Sequence, residues 1–198
     1  VLIWLKKLKH WSMAKKLQYT NMDTAIETKV INIDPKKIIA KLRQLGAEET
    51  VEKLLQRYVF DMESANSEWI RLRTDGQKTT ITYKNKIKGN TVVGKTIEIE
   101  VEVADFDKTA QILSKMPFKS IFYQENKTHI FKLNGIEFSI DIWPMLEPYL
   151  EVEADSLEKV QEGLRLLSLE GQDIGDKDVK LIYREKGINL HAYSELKF

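Results

Sequence analysis

The sequence predicts an α+β protein built mainly of antiparallel strands, each with one charged face, and a few short helices. Three observations carry that expectation. Many short segments alternate apolar and polar residues with a period of two, the repeat of a strand whose two faces differ chemically. Three others begin with a capping residue and continue with helical spacing. Finally, Asp75-Gly76 and Asn134-Gly135 are two-residue hairpin signals that tie successive strands antiparallel.

The strongest strand signal is residues 96–103, TIEIEVEV. Glu98, Glu100 and Glu102 alternate with Ile97, Ile99, Val101 and Val103. Three carboxylates on one strand face repel one another, so that face needs basic side chains, metal ions or both.

In chain order, residues 1–22 read as a basic amphipathic leader. Val1, Trp4, Leu5, Leu8 and Trp11 fall at helical spacing with Lys6, Lys7 and Lys9 between them. The segment suits either a membrane surface or partner, or a leader ahead of an ordinary start at Met13 or Met22. Residues 23–198 are expected to form a single domain. Within it, 25–31 alternates as a first strand. Asp34-Pro35 opens a helix as N-cap and first helical residue, Ile38, Ile39, Leu42 and Leu45 form its apolar face, and Gly46 ends it. A strand follows over 51–61, then a turn at Asn66-Ser67 and two strands, 69–73 and 79–84, joined at Asp75-Gly76. A lysine-rich loop around Gly89-Asn90 leads into the glutamate strand. Asp105 caps a helix over 106–115. Strands at 126–133 and 136–142 flank Asn134-Gly135, and 149–153 is another. Ser156 caps a helix over about 157–168, and the tail holds a short helical pattern at 177–186 before an irregular end.

Composition narrows the function classes. The net charge is only +1, from 31 basic and 30 acidic residues, which gives no bulk attraction for nucleic acid. The chain has no cysteine, which excludes disulfides, thiolate metal sites and cysteine nucleophiles. That fits a cytoplasmic protein. No apolar run reaches the roughly 18–20 residues of a membrane span. His10, His129 and His191 are too far apart to show metal-ligand spacing.

The alternating positions collect into charged faces: Glu27 with Lys29, Arg71 with Arg73, Thr80, Thr82 and Lys84, the three glutamates, Glu137 with Ser139 and Asp141, and Glu151 with Glu153. An ordinary sheet with one solvated face produces alternation too. Here, however, whole strands are nearly all acid or all base. That segregation suits a closed or cupped barrel holding a polyanion together with divalent metals, because carboxylates are hard oxygen ligands and arginine forks match phosphate oxygens.

The chain resembles the CYTH family, the triphosphate tunnel metalloenzymes, which include class IV adenylyl cyclases, thiamine triphosphatases and inorganic tripolyphosphatases. The matching pieces span about residues 23–170: AIETK against the family's ExExK opening strand, then IRLR, ITYK, EIEVEV, Lys127, Asp141 and EVE at 151–153. The resemblance implies an eight-stranded antiparallel β-barrel, a triphosphate tunnel, with helices packed outside. It implies that Lys29, Arg57, Arg71, Arg73, Lys84 and Lys127 grip the triphosphate. Glu27, Glu98, Glu100, Asp141, Glu151 and Glu153 would hold Mg²⁺ or Mn²⁺, with Glu27, Lys29 and Lys84 as the catalytic positions. Glu102 would lie at the tunnel mouth. The partner implied is a small-molecule triphosphate, without nucleic acid or membrane span; a homodimer fits the family but has no signal in the sequence.

Two positions depart from the family pattern: Ala25 stands where ExExK begins with glutamate, and Thr128 and His129 follow Lys127 where arginine is usual. The expected function is metal-dependent hydrolysis of a triphosphate. An adenylyl cyclase, with Trp69, Tyr83 or Trp143 stacking on the base, and a catalytically weak triphosphate binder, motivated by Ala25, are the alternatives.

Overall fold

A strand with charge on one face and β-branched or aromatic residues on the other can satisfy both faces in only a few ways. Here the sheet curls so that the charged faces look at one another. A computed structural model describes residues 23–62, 68–87 and 94–198. Ten strands run in the order β1 (Asp23–Val30), β2 (Glu48–Glu49), β3 (Lys53–Asp61), β4 (Glu68–Thr74), β5 (Thr79–Ile87), β6 (Gly94–Glu102), β7 (Ser120–Leu133), β8 (Ile136–Ile142), β9 (Tyr149–Ala154) and β10 (Glu195–Leu196). Four helices, α1 (Pro35–Gln44), α2 (Phe106–Leu113), α3 (Leu157–Leu167) and α4 (Val179–Glu185), and a 3₁₀ turn at Leu190–Ala192 lie between and after them.

Eight strands pair antiparallel in a ring: β1 with β6, β6 with β5, β5 with β4, β4 with β3, β3 with β7, β7 with β8, β8 with β9, and β9 back to β1. The long strand β7 makes this possible. Its residues 120–128 pair with β3, and 127–133 pair with β8. β10 then pairs parallel with β7 at Tyr123 and Gln124, beyond the reach of β8. The two hairpin signals form as expected: Gly76 sits at φ +85°, and Asn134 and Gly135 at +54° and +76°, the left-handed conformations such tight turns require.

The helices begin where the sequence places their caps. The Asp34 carboxylate accepts from the backbone N–H of Lys36 and Lys37, Asp105 accepts from Lys108, and Ser156 from Lys159. Because the barrel interior is charged, the hydrophobic core lies outside it. α1 and α3 bury Leu42, Val160 and Leu164 against Val30, Phe131, Phe138, Leu150 and Val152 of the sheet. α2 packs Leu113 against Phe60 and Leu72, and α4 with the tail packs Ile182, Tyr183 and Leu196 against Trp143 and Tyr149. Among the described residues, no helix is long and apolar enough to cross a membrane.

Several expectations shift. β7 begins at Ser120 rather than 126, the tail adds β10 to what reads as an irregular end, and Asp178 caps α4. The outer face of β6 is not core: Ile99 and Val101 are 48% and 59% exposed, because the helices cover other parts of the barrel. The leader at 1–22, the turn at Asn66-Ser67 and the loop at Gly89-Asn90 lie outside the described residues.

Segment 173–176 occupies the edge of β1 past Glu27, where pairing with β6 ends. The Ile174 N–H donates to the Lys29 carbonyl (2.8 Å), and the Lys29 N–H donates to the Gly175 carbonyl (3.0 Å). Thr28 Oγ1 donates to Asp173 (2.9 Å), and Lys86 pairs with Asp176 (2.8 Å). This strap leads into α4 and carries its first turn to the barrel opening.

α3 approaches the sheet closely at Gly163, where an added Cβ would stand 2.8 Å from Val152 Cγ1 and 3.2 Å from both Ile136 Cγ2 and Phe138 Cε1. Alanine favours a helix over glycine by about 1 kcal/mol, but overpacking costs about 1–3 kcal/mol. Gly163→Ala is therefore expected to lower the melting temperature; an unchanged or higher value in thermal denaturation would show that α3 moves outward freely.

Candidate active site

The barrel encloses a cavity of about 750 Å³ lined by the inward residues of its strands. β1 and β9 contribute one group. Their register sets Lys29 opposite Glu151 and Glu27 opposite Glu153. Lys29, only 4% exposed, places Nζ 2.8 Å from Glu27 Oε1 and 2.9 Å from Glu151 Oε2. Burial works against the lysine's charge, but Glu151 and Glu27 outweigh it and push its pKa up. Glu27 is opposed by burial in turn, yet Lys29, Lys84 and Lys86 hold its pKa below the ordinary value.

Glu153 completes this group. One carboxylate oxygen from each of Glu27, Glu151 and Glu153 lies within 4.8 Å of the other two. Convergent hard oxygens of this kind fit Mg²⁺ or Mn²⁺. Burial, then the neighbouring Glu151 and Glu27, raise the Glu153 pKa to about 7. Such a carboxyl resists ionising without a cation beside it.

The second group is basic. β3 and β4 set Arg57 directly opposite Arg73, with Arg71 two residues along. Like charges opposite each other destabilise a sheet. Burial and then Arg73 lower the Arg57 pKa to about 10; burial, Arg73 and Arg57 lower that of Arg71 to about 9. The Nε atoms of both Arg57 and Arg71 are buried without a hydrogen-bond partner. Arg57 is held by Asn126 Oδ1 and stacks 4.8 Å from the Trp143 ring centroid, yet it makes no ion pair among the described residues. Arg71 Nη2 lies 3.6 Å from Glu100 Oε2. Buried guanidinium donors with unspent capacity, facing one space, have the chemistry to match the oxygens of a polyanion.

The remaining expected residues divide between these groups. Lys84 pairs with Glu98, directly across the β5–β6 ladder, and burial followed by Arg71 lowers its pKa. Glu100 accepts from Thr82 Oγ1 at 2.7 Å. Asp141 accepts from Asn126 Nδ2 at 2.9 Å, and burial followed by Glu151 raises its pKa to about 7. Glu98, Glu100 and Asp141 therefore line the same cavity but stand outside the three-carboxylate cluster. Glu102 does not line the cavity; its side chain is 65% exposed, 3.4 Å from Lys78.

Lys127 is the one expected triphosphate ligand that the structure directs elsewhere. On β7 the inward residues are Gln124, Asn126 and Thr128, so Lys127 faces outward, its Nζ 5.2 Å from the Phe198 ring centroid. His129, on the same outer face, approaches Glu49 at 2.9 Å. Asn126, which charge-based reading passes over, links Arg57 to Asp141. The signal for it was the parity of the strand, which opposes Gln, Asn and Thr to Tyr, Glu and Lys. Trp69, Trp143 and Tyr149 also line the cavity, as do Asp178 and Lys180 of the strap and α4, which no sequence pattern joined to it.

The raised Glu153 pKa has a definite sign for stability. The folded value of about 7 exceeds the ordinary 4.5, so the contribution is full below about pH 4.5 and is lost as pH rises through 7. In metal-free protein, Glu153→Gln is expected to raise the melting temperature at pH 8 and to have little effect near pH 4. With saturating Mg²⁺ at pH 8 the gain should shrink or reverse. A pH-independent effect in a fluorimetric melting series would contradict the ionisation account.

Comparison with known proteins agrees with this fold. The CYTH domain pattern matches residues 24–184. A Methanocaldococcus jannaschii protein named as a candidate adenylate cyclase is 28% identical over 162 residues, covering 75% of this chain and 92% of its own. The solved structure of the PH1012 protein of Pyrococcus horikoshii is similar at a TM-score of 0.66 and 22% identity, covering 78% of this chain and 96% of the other. A Hippeastrum protein, described as a candidate adenylyl cyclase with a dominant triphosphatase activity, is similar at a TM-score of 0.54 and 15% identity, covering 84% and 97%. With a curled antiparallel sheet, a doubly charged interior and the domain pattern over most of its length, the chain belongs to the CYTH family.

Proposed function

We propose that the protein is a divalent-metal-dependent phosphohydrolase that acts on a triphosphate inside the barrel. The observation that carries this reading is the juxtaposition, in one cavity, of buried arginines whose Nε donors have no partner and a three-carboxylate cluster. Neither group is at ease alone. A polyphosphate satisfies the first and a divalent cation the second.

In this reading Arg57, Arg71, Arg73 and Lys84 bind and orient the non-bridging phosphate oxygens and meet the charge that spreads over them during phosphoryl transfer. Glu27, Glu151 and Glu153 are the residues that would hold Mg²⁺ or Mn²⁺. Lys29 takes one oxygen from each of Glu27 and Glu151, fixing both carboxylates while leaving their other oxygens available. When bound, a divalent ion neutralises phosphate charge and lowers the pKa of a coordinated water. Asn126 keeps Arg57 and Asp141 in fixed relation, so the polyanion and carboxylate sides remain in register.

An adenylyl cyclase uses the same grip, and the name of the Methanocaldococcus jannaschii relative favours it as the second reading. A turnover assay with ATP, tripolyphosphate and thiamine triphosphate, under Mg²⁺ and Mn²⁺ with products resolved, separates the two. Metal-dependent release of orthophosphate is expected, and chelation should abolish it. Cyclic AMP with pyrophosphate would overturn hydrolysis in favour of the cyclase. Arg57→Ala should lower kcat/KM by about 100-fold, the scale of removing an oriented donor to transition-state charge. Ala25 pairs in backbone register with Thr96, at the β1–β6 seam. Ala25→Glu should raise turnover if the missing family carboxylate limits it; unchanged turnover would assign no such limit to Ala25.

A further inference from the structure

A second cavity, of about 540 Å³, lies between the first half of β7, α4 and the tail. It differs in character from the barrel interior. Its walls combine the apolar and aromatic side chains of Phe122, Leu181, Ile188, Leu190 and Tyr193 with polar and charged groups concentrated on the side toward the barrel and at Arg184 and Asn189. Its volume falls within the roughly 300–1,000 Å³ of small-molecule sites. It also adjoins the barrel cavity: Gln124, Asp178 and Lys180 line both.

Those three residues form a threshold. Gln124 is 7% exposed and projects from β7. Lys180 Nζ lies 3.4 Å from Asp61 Oδ1 on the barrel side and 5.9 Å from the Phe122 ring centroid, with Phe122 itself lining the second cavity. The strap that reaches Lys29 and Lys86 holds this first turn of α4 in place.

We infer that the second cavity receives the organic group of the substrate, so that the protein's triphosphate is a nucleoside triphosphate rather than inorganic tripolyphosphate. This rests on the reading of the barrel as a triphosphate site. Inorganic tripolyphosphate has no use for an aromatic cavity at the end of its charged channel, whereas a nucleoside triphosphate has two chemically distinct ends that match the two cavities. Phe122 and Tyr193 offer ring surface to a planar base, and Gln124 offers an amide at the passage. Lys180 and Arg184 against Asp178 suit an electroneutral base rather than a cationic ring.

The test is calorimetric binding, in Mg²⁺, of β,γ-methylene ATP and of the bis-methylene analogue of tripolyphosphate. The unsubstituted protein should bind the nucleotide analogue at least tenfold more tightly. Ile188→Trp, which fills the second cavity, should lower that preference at least tenfold, and Tyr193→Ala at least fivefold. Binding of the tripolyphosphate analogue by each variant reports that the barrel is intact. Equal affinity for the two analogues, or a preference that neither folded variant changes, would overturn the inference and leave the barrel reading standing. Failure of the unsubstituted protein to bind either analogue would overturn the barrel reading itself, and this inference with it.

Discussion

The constraint on which the structure depends is the confinement of like charges. Arg57 faces Arg73 across a ladder, Arg71 lies beside them, and three carboxylates converge on the opposite wall. Each group alone would open the sheet. It is held because the other faces of the same strands are fastened from behind: Phe60 and Leu72 are buried against Leu113 of α2, and Leu150 and Val152 against α1 and α3. Hydrophobic burial thus acts on the outside of the barrel to maintain an electrostatically strained inside. The usual arrangement of apolar centre and polar exterior is inverted, and the helices are needed to supply a core that the barrel cannot contain.

Lys29 shows how that strain is distributed. A buried ammonium between two carboxylates stabilises both, but it leaves Glu153 with too little positive charge, and burial raises the pKa of that residue. On the arginine wall, Asn126 and the Trp143 ring do what a carboxylate would otherwise do, orienting Arg57 without neutralising it. A neutral partner preserves the positive potential available to a ligand. An aspartate at position 126 would consume it.

Much of this was legible in the chain. Period-two alternation identifies which residues share a face, and the capping residues at 34, 105 and 156 start their helices where the hydrogen bonds do. What alternation leaves open is phase when charge is taken as the guide. Lys127 has the desired charge but the wrong parity; its neighbours Asn126 and Thr128 have the right parity and no charge. Grouping the acids was likewise beyond the one-dimensional pattern. Glu98 and Glu151 look equivalent in sequence, yet cross-strand register gives Glu98 to Lys84 and places Glu151 with Glu27 and Glu153. The exposure of Ile99 and Val101 depends on where the helices end, which no property of β6 encodes.

The order of strands around the ring also bears on how the protein is made. β1 lies between β6 and β9, so the first described strand to leave the ribosome must wait for one of the last before both its edges are covered. β3 through β6 can assemble earlier as a run of neighbouring antiparallel strands, with Arg57 already opposite Arg73 and Lys84 opposite Glu98 across local ladders. The carboxylate cluster cannot, because Glu27 meets Glu151 and Glu153 only at the closing seam. Contacts of such long sequence separation form slowly. The arginine half of the cavity therefore forms before the carboxylate cluster, and under the proposed function a polyphosphate present during synthesis would meet a partly built barrel with its basic wall already in place.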